Sequence, residues 1–145
     1  MAEQYFTADP TCESKQVPCS FVYRGHGLNF MTDAGVFSKG ELDTGTRLLL
    51  DALPDVYGDV LDLGCGWGAI GVAVKKKNPA AHVTMVDVNR RALELCRFNA
   101  VRNGITAECL ESDGMAEVME RTFDFIITNP PIRASKPVIY RMFAD

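Results

Sequence analysis

Hydrophobic and polar positions alternate on two different periods along this chain. From Asp59 onward, short apolar runs alternate with longer amphipathic ones. Val60-Leu61-Asp62-Leu63 predicts a strand, Gly64 to Gly68 a loop, and Ala69 to Lys77 a helix stopped by Asn78-Pro79. His82 to Val86 predicts a second strand. Asn89 caps a long helix that reaches about Arg102, and Asn103-Gly104 closes it in the left-handed manner. Thr106 to Leu110 is a third, weaker strand, Met115 to Glu120 a short helix, and Phe123 to Thr128 a fourth strand. Strands separated by helices imply right-handed crossovers and a mostly parallel α/β sheet with helices on both faces.

The first 57 residues follow another pattern. Phe21-Val22-Tyr23 and Leu28-Asn29-Phe30 flank Arg24-Gly25-His26-Gly27, which predicts a hairpin. Gly40 to Leu53 contains a helix opened near Asp43 or Thr44, with Leu48, Leu49, Leu50 and Leu53 on its apolar face. The 145 residues therefore form one domain, with 1–57 an extension and 58–145 a core.

Composition narrows the possibilities. Hydrophobic residues at 47% and charged residues at 23% suit a soluble globular protein. No apolar run reaches the ~18 residues of a membrane span, and the start of the chain lacks the pattern of a secretory signal. Five cysteines without a C-x-x-C pair, and two histidines far apart, argue against a metal site and for reduced thiols in the cytoplasm. Cys65 falls in the glycine loop, where a small, unreactive side chain is the expected reading. A net charge of -4 argues against coating nucleic acid by bulk charge. The cations Lys75, Lys76, Lys77, Arg90, Arg91, Arg97 and Arg102 are crowded together, and solvated helix surfaces are their expected role.

The glycine loop carries the first chemical signal. Asp62 to Gly68 reads DLGCGWG at a strand-to-helix junction, where backbone N–H groups lie open to a ligand. Its G-x-G-x-G spacing departs from the G-x-G-x-x-G of dinucleotide sites. A carboxylate at Asp62 would repel a pyrophosphate and accept from an amine, which disfavours a nicotinamide-dependent dehydrogenase. Asp87 ends the second strand, where nucleoside-binding folds place a carboxylate for ribose hydroxyls. Asp113 follows the third strand on the same rim. The fourth strand runs into Asn129-Pro130-Pro131-Ile132-Arg133, a rigid end presenting an amide and a carbonyl.

Together, DLGCGWG, Asp87, Asp113 and NPP resemble the successive motifs of class I S-adenosylmethionine-dependent methyltransferases. The upstream GVFSKGELDTGTRLLL and the ending NPPIR make the likeness closer to the RsmC-type guanine-N2 methyltransferases of small-subunit ribosomal RNA. The resemblance covers roughly Leu28 to Asp145. It implies that Asp62 and the backbone of Gly64, Gly66 and Gly68 hold the methionine part of S-adenosylmethionine. Asp87 would take the ribose, Asp113 the adenine amino group, and Phe37, Gly45 and Thr46 would help cover the cofactor. Asn129 and the Pro130 carbonyl would receive the target amine, with Pro131, Ile132 and Arg133 beside it and ribosomal RNA or the small subunit as partner. Enzymes acting on adenine N6 or on protein glutamine often carry an aromatic where this chain has Ile132. A non-catalytic cofactor-binding or ribosome-associated module is the remaining alternative.

Measured against the family, the chain supplies the first four core strands and stops where a helix after NPPIR is expected. The fourth strand is then expected to present an open apolar edge, as in a fragment of a longer protein.

Overall fold

The structure, a computed structural model, describes residues 16–33, 42–129 and the backbone of 138–141. Strands β1 (Gln16–Tyr23) and β2 (His26–Asp33) pair antiparallel across Arg24-Gly25. Both turn residues have positive φ, +49° and +85°. That is the geometry of a two-residue type I′ turn, whose twist matches that of the flanking strands. Helix α1 (Thr44–Ala52) follows, with Asp43 accepting from the Thr46 N–H as its cap.

The remaining elements build one five-stranded sheet. They run β3 (Asp59–Leu63), α2 (Ala69–Lys77), β4 (His82–Asp87), α3 (Arg90–Arg102), β5 (Glu108–Glu111), β6 (Phe125–Thr128) and β7 (Val138–Arg141). Their order across the sheet is β5-β4-β3-β6-β7. The strands β3 to β6 are mutually parallel, as the alternation of apolar runs and helices predicts. Where a short helix was expected at Met115–Glu120, the chain makes a single 3₁₀ turn at Ala116–Val118.

One expectation is corrected. The apolar edge foreseen on β6 does not exist, because β7 pairs antiparallel with it from Thr128↔Val138 to Phe125↔Arg141. The expected helix after the NPPIR motif accordingly gives way to a strand at these positions. Val138-Ile139-Tyr140 is β-branched and aromatic, which suits a pleated strand. Pairing also satisfies backbone groups that an edge strand would leave bare.

Burial follows from alternation. One sheet face carries Val60, Val83, Met85, Phe125 and Ile127, covered by all three helices and the hairpin. The other carries Leu61, Val86 and Ile126 under Val118 and Phe123. On that second face Arg121 grips both carboxylate oxygens of Glu108 at 3.0 and 3.2 Å and reaches Thr84 Oγ1 at 3.0 Å.

The hairpin is attached by two asparagines on α3. Asn99 Oδ1 accepts from the Met31 N–H at 2.8 Å, and its Nδ2 donates to Met31 O at 3.0 Å. One helical turn later, Asn103 treats Asn29 in the same way, at 3.0 and 2.9 Å. Residues four apart on a helix thus meet residues two apart on a strand, and the carboxamides stand in for a neighbouring strand on β2. Asn99 Nδ2 also donates to Trp67 O at 2.7 Å, tying the glycine loop into the same joint. Phe30 packs edge-on against Trp67, with ring centroids 5.1 Å apart.

Asn99→Ala would leave the Met31 N–H and both acceptors without their amide partner. We expect it to cost roughly 3 kcal/mol in urea-induced unfolding, because each buried group left unsatisfied costs about 1–3 kcal/mol. Val101→Ala, on the same helix at 79% exposure, should change stability by no more than about 0.5 kcal/mol.

Candidate functional site

Strand register assembles the site. β3 is paired so that Asp62 lies level with Met85 of β4 and with Ile127 of β6. Side chains alternate between faces, so Asp62, Asp87 and the position after Thr128, Asn129, face the same side. Asp87 and Asn129 lie one pleat further toward the carboxyl rim than Asp62. That rim is where open α/β sheets bind ligands.

The glycine loop wraps over this rim on backbone hydrogen bonds. The N–H groups of Gly64 and Cys65 both donate to Val86 O at 2.9 Å. The Gly66 N–H donates to Asp87 Oδ2 at 2.8 Å, so one expected ligand-binding carboxylate also shapes the loop. Gly64 has φ +74°, and no atom lies within 4 Å of where its Cβ would stand. A positive φ beside open space leaves the main chain bare to an incoming group. Gly68 differs from Gly64. A Cβ there would come within 3.1 Å of Cys96 Sγ, so its smallness lets the loop pack on α3.

Asp62 is the most perturbed acid near the rim. It is 2% exposed and accepts the Gly71 N–H at 2.9 Å. Burial pushes its pKa up to about 7, against the lowering effect of the Gly71 bond and with help from the charge of Asp87. A buried carboxyl that loses its proton near neutrality, with one hydrogen bond where it could accept several, is suited to receive an ammonium group. Nothing in the sequence marks Gly71, because glycine inside a helix usually only weakens it. Here a Cβ would collide with the Met85 thioether and stand 3.0 Å from Asp62 Oδ2.

The other expected residues fall as follows. Asp87 Oδ1 accepts from the Asn89 N–H at 2.9 Å, leaving further lone-pair sites for hydroxyl donors. The Ser112 N–H donates to Asp87 O at 3.0 Å, which brings the exposed Asp113 alongside. Gly45 and Thr46 lie in the first turn of α1, and Thr46 touches Asn129, whose Nδ2 donates to Thr46 Oγ1 at 2.7 Å. Phe37, Pro130, Pro131, Ile132 and Arg133 lie outside the described residues.

Two side expectations are clarified. Cys65, Cys96 and Cys109 line up with sulfur separations of 3.8 and 3.9 Å. The hydrogen bond with Cys96 lowers the Cys65 pKa, but burial and nearby Asp62 and Asp87 outweigh it and push the thiol up to about 11. An undissociated thiol of this kind is a poor nucleophile. The crowded cations mostly hold the fold together. Lys75 reaches Pro79 O and Ala81 O, Lys76 reaches Asn103 O, Arg90 pairs with Glu111, and Arg97 reaches Cys109 O. Among the described residues, no group of His, Cys, Asp or Glu could hold a metal ion, and no helix is long and apolar enough to cross a membrane.

Comparison with known proteins gives the family and the fold. The family described as methyltransferase small domain matches residues 27–145. The uncharacterized protein YbxB of Bacillus subtilis is 43% identical over 147 residues, covering 99% of this chain and 73% of that protein. Ribosomal RNA small subunit methyltransferase C of Mannheimia succiniciproducens is 47% identical over 108 residues, covering 74% of this chain and 32% of that protein. Among solved structures, the 16S rRNA N2 methyltransferase RsmC of T. thermophilus, in complex with AdoMet and guanosine, superposes with TM-score 0.75 at 31% identity. That match covers 88% of this chain and 36% of that chain. The chain thus spans about a third of the length of the ribosomal RNA methyltransferases it resembles.

The raised pKa of Asp62 has a consequence for stability. Folding favours its protonated form, so its stabilising contribution is full below about pH 4 and is lost as pH rises through about 7. Asp62→Asn removes that dependence. At about pH 8 the variant should be more stable than the parent by up to roughly 4 kcal/mol, at about 1.4 kcal/mol per pKa unit. The gain should shrink toward nothing near pH 4, as measured by chemical denaturation at both values.

Proposed function

The chain belongs to the methyltransferase small-domain family, and from that premise we propose that it uses S-adenosylmethionine to methylate an exocyclic amine of RNA, guanine N2 of the small-subunit ribosomal RNA. The observation that carries this reading is the common face of Asp62, Asp87 and Asn129, set by the registers Asp62↔Met85 and Asp62↔Ile127. Cofactor carboxylates and the acceptor amide then border one space. The relatives support the choice of acceptor, since RsmC of T. thermophilus was solved with AdoMet and guanosine.

Each residue has a part that its surroundings suit. Asp62, buried and short of hydrogen-bond donors, takes the ammonium of the cofactor's methionine end. The exposed backbone at Gly64 lies along it, with Gly66 holding Asp87 in place through its N–H; Asp87 takes the ribose hydroxyls, and Asp113 takes the adenine amino group. When bound, S-adenosylmethionine supplies an electrophilic sulfonium methyl. At the acceptor, an exocyclic amine is a weak nucleophile because its lone pair is delocalised into the ring. Asn129 Oδ1 and the Pro130 carbonyl would accept its two N–H bonds and draw the nitrogen toward a tetrahedral form with a directed lone pair. The rate gain is one of positioning and preorganised dipoles rather than of a strong base. In the sequence, Ile132 occupies the position where enzymes of other planar amines often carry an aromatic, which supports guanine over adenine or glutamine.

Radiolabelled methyl transfer to small-subunit particles tests the reading. Asn129→Ala should lower turnover by about a hundredfold or more, the scale for losing a preorganised dipole, while S-adenosylmethionine affinity by calorimetry changes little. Unchanged turnover would remove Asn129 from the reaction.

A further inference from the structure

Asn129 is not held by its strand alone. Its Nδ2 donates to Thr46 Oγ1 at 2.7 Å, and the Thr46 hydroxyl donates in turn to Asp43 Oδ2 at 3.1 Å. Asp43 is itself anchored, because its Oδ1 accepts the Thr46 N–H at 2.8 Å as the cap of α1. Thr46 is 5% exposed, so bulk water does not readily replace either partner. A hydroxyl has one proton, and here it is committed to a carboxylate that can only accept. Toward Asn129, Thr46 can therefore act only as an acceptor. That admits the amide nitrogen and excludes the amide oxygen.

We propose that Asp43 and Thr46 are positioning residues that set the orientation of the Asn129 carboxamide, turning its oxygen toward the acceptor amine. The proposal rests on the function given above to Asn129. A carboxamide has two orientations of nearly equal shape, and only one is productive. With the oxygen outward, it accepts an N–H of the base. With the nitrogen outward, it meets that N–H donor to donor and leaves both groups unsatisfied. Gly45 completes the arrangement by letting the helix start approach the strand tip. A Cβ at this position would stand 3.3 Å from Asp43 Oδ1 and 3.4 Å from Asn129 Oδ1, crowding both. The run Asp43-Thr44-Gly45-Thr46 thus serves the acceptor amide as well as the helix cap.

A polarity inversion separates this role from simple capping. Asp43→Asn keeps a good N-cap, since asparagine caps helices as well as aspartate does. It also presents an NH₂ where Oδ2 stood, which frees the Thr46 proton to bond Asn129 Oδ1 and favours the reversed amide. Side-chain carboxamide NMR of the full chain reads the orientation directly, with the Asn129 signal assigned by its loss in Asn129→Ala. In the parent, one Asn129 Nδ2 proton should be slow to exchange. That protection should fall about tenfold or more in Asp43→Asn and Thr46→Val, because its acceptor is reversed or removed. It should return in Thr46→Ser. In methyl-transfer assays, the first two variants should lose about tenfold to a hundredfold in kcat with KM for S-adenosylmethionine little changed, the scale of a misplaced reacting group. Thr46→Ser should recover most of what Thr46→Val loses.

Equal Asn129 proton protection in the parent, Asp43→Asn and Thr46→Val would overturn the proposal. So would full kcat in Asp43→Asn and Thr46→Val alongside an inactive Asn129→Ala. If the protection pattern holds while Asn129→Ala turns over normally, the orienting relay stands and the acceptor role of Asn129 falls.

Discussion

The parallel register of the central strand is the constraint on which the rest depends. With β3 set so that Asp62 sits level with Met85 and Ile127, the pleat carries three polar side chains to one face at the carboxyl rim. A slip of one residue would send all of β3 to the opposite face. Val60 and Asp62 would then leave the helix-covered side, and Leu61 would replace them there. The register is specified by burial on both faces, with Val60 1% exposed and Leu61 fully buried. Packing and chemistry thus select the same alignment.

Placing a carboxyl inside this packed face works against stability. Asp62 is buried beside the first turns of α2, where the Gly71 N–H is its partner and Met85 fills the space a larger residue would need. Under the proposed function, a bound ammonium would supply the partner that the protein does not. Binding and folding would therefore be linked, with the cofactor relieving a cost that the unliganded protein bears at neutral pH. The asparagine joint has the opposite character. Asn99 and Asn103 are fully satisfied and buried, and they fix the hairpin and Trp67 to α3 without leaving a polar group bare. One polar device holds the scaffold rigid, while the other is left incomplete at the site.

Much of this was legible because the signals are local. α2 begins at Ala69 and ends at Lys77 as the apolar run and Asn78-Pro79 predict, and Asn89 caps α3 through the Ala92 N–H. The hairpin around Arg24-Gly25-His26-Gly27 is readable for the same reason, although its turn narrows to Arg24-Gly25 and the strands take in His26 and Gly27; so are the carboxylates at strand ends. What escaped depends on tertiary pairing. Asn99 and Asn103, four residues apart, could have been read as an edge-pairing motif, but nothing local distinguishes them from solvated helix residues. The contact of Thr46 with Asn129 joins positions far apart in sequence and follows from the packing of α1 over the rim. The resemblance implies a helix where β7 stands, whereas the unpaired side of β6 and the β-branched residues favour a strand.

The central claim is that cofactor and acceptor amide share one face of the sheet. Isotope-filtered nuclear Overhauser spectra of the chain with S-adenosylmethionine labelled in its donor methyl test it most directly. The account predicts cross-peaks from that methyl to the Asn129 side chain and from the cofactor's methionine end to residues around Asp62. Saturable binding without any cross-peak to Asn129 would contradict it.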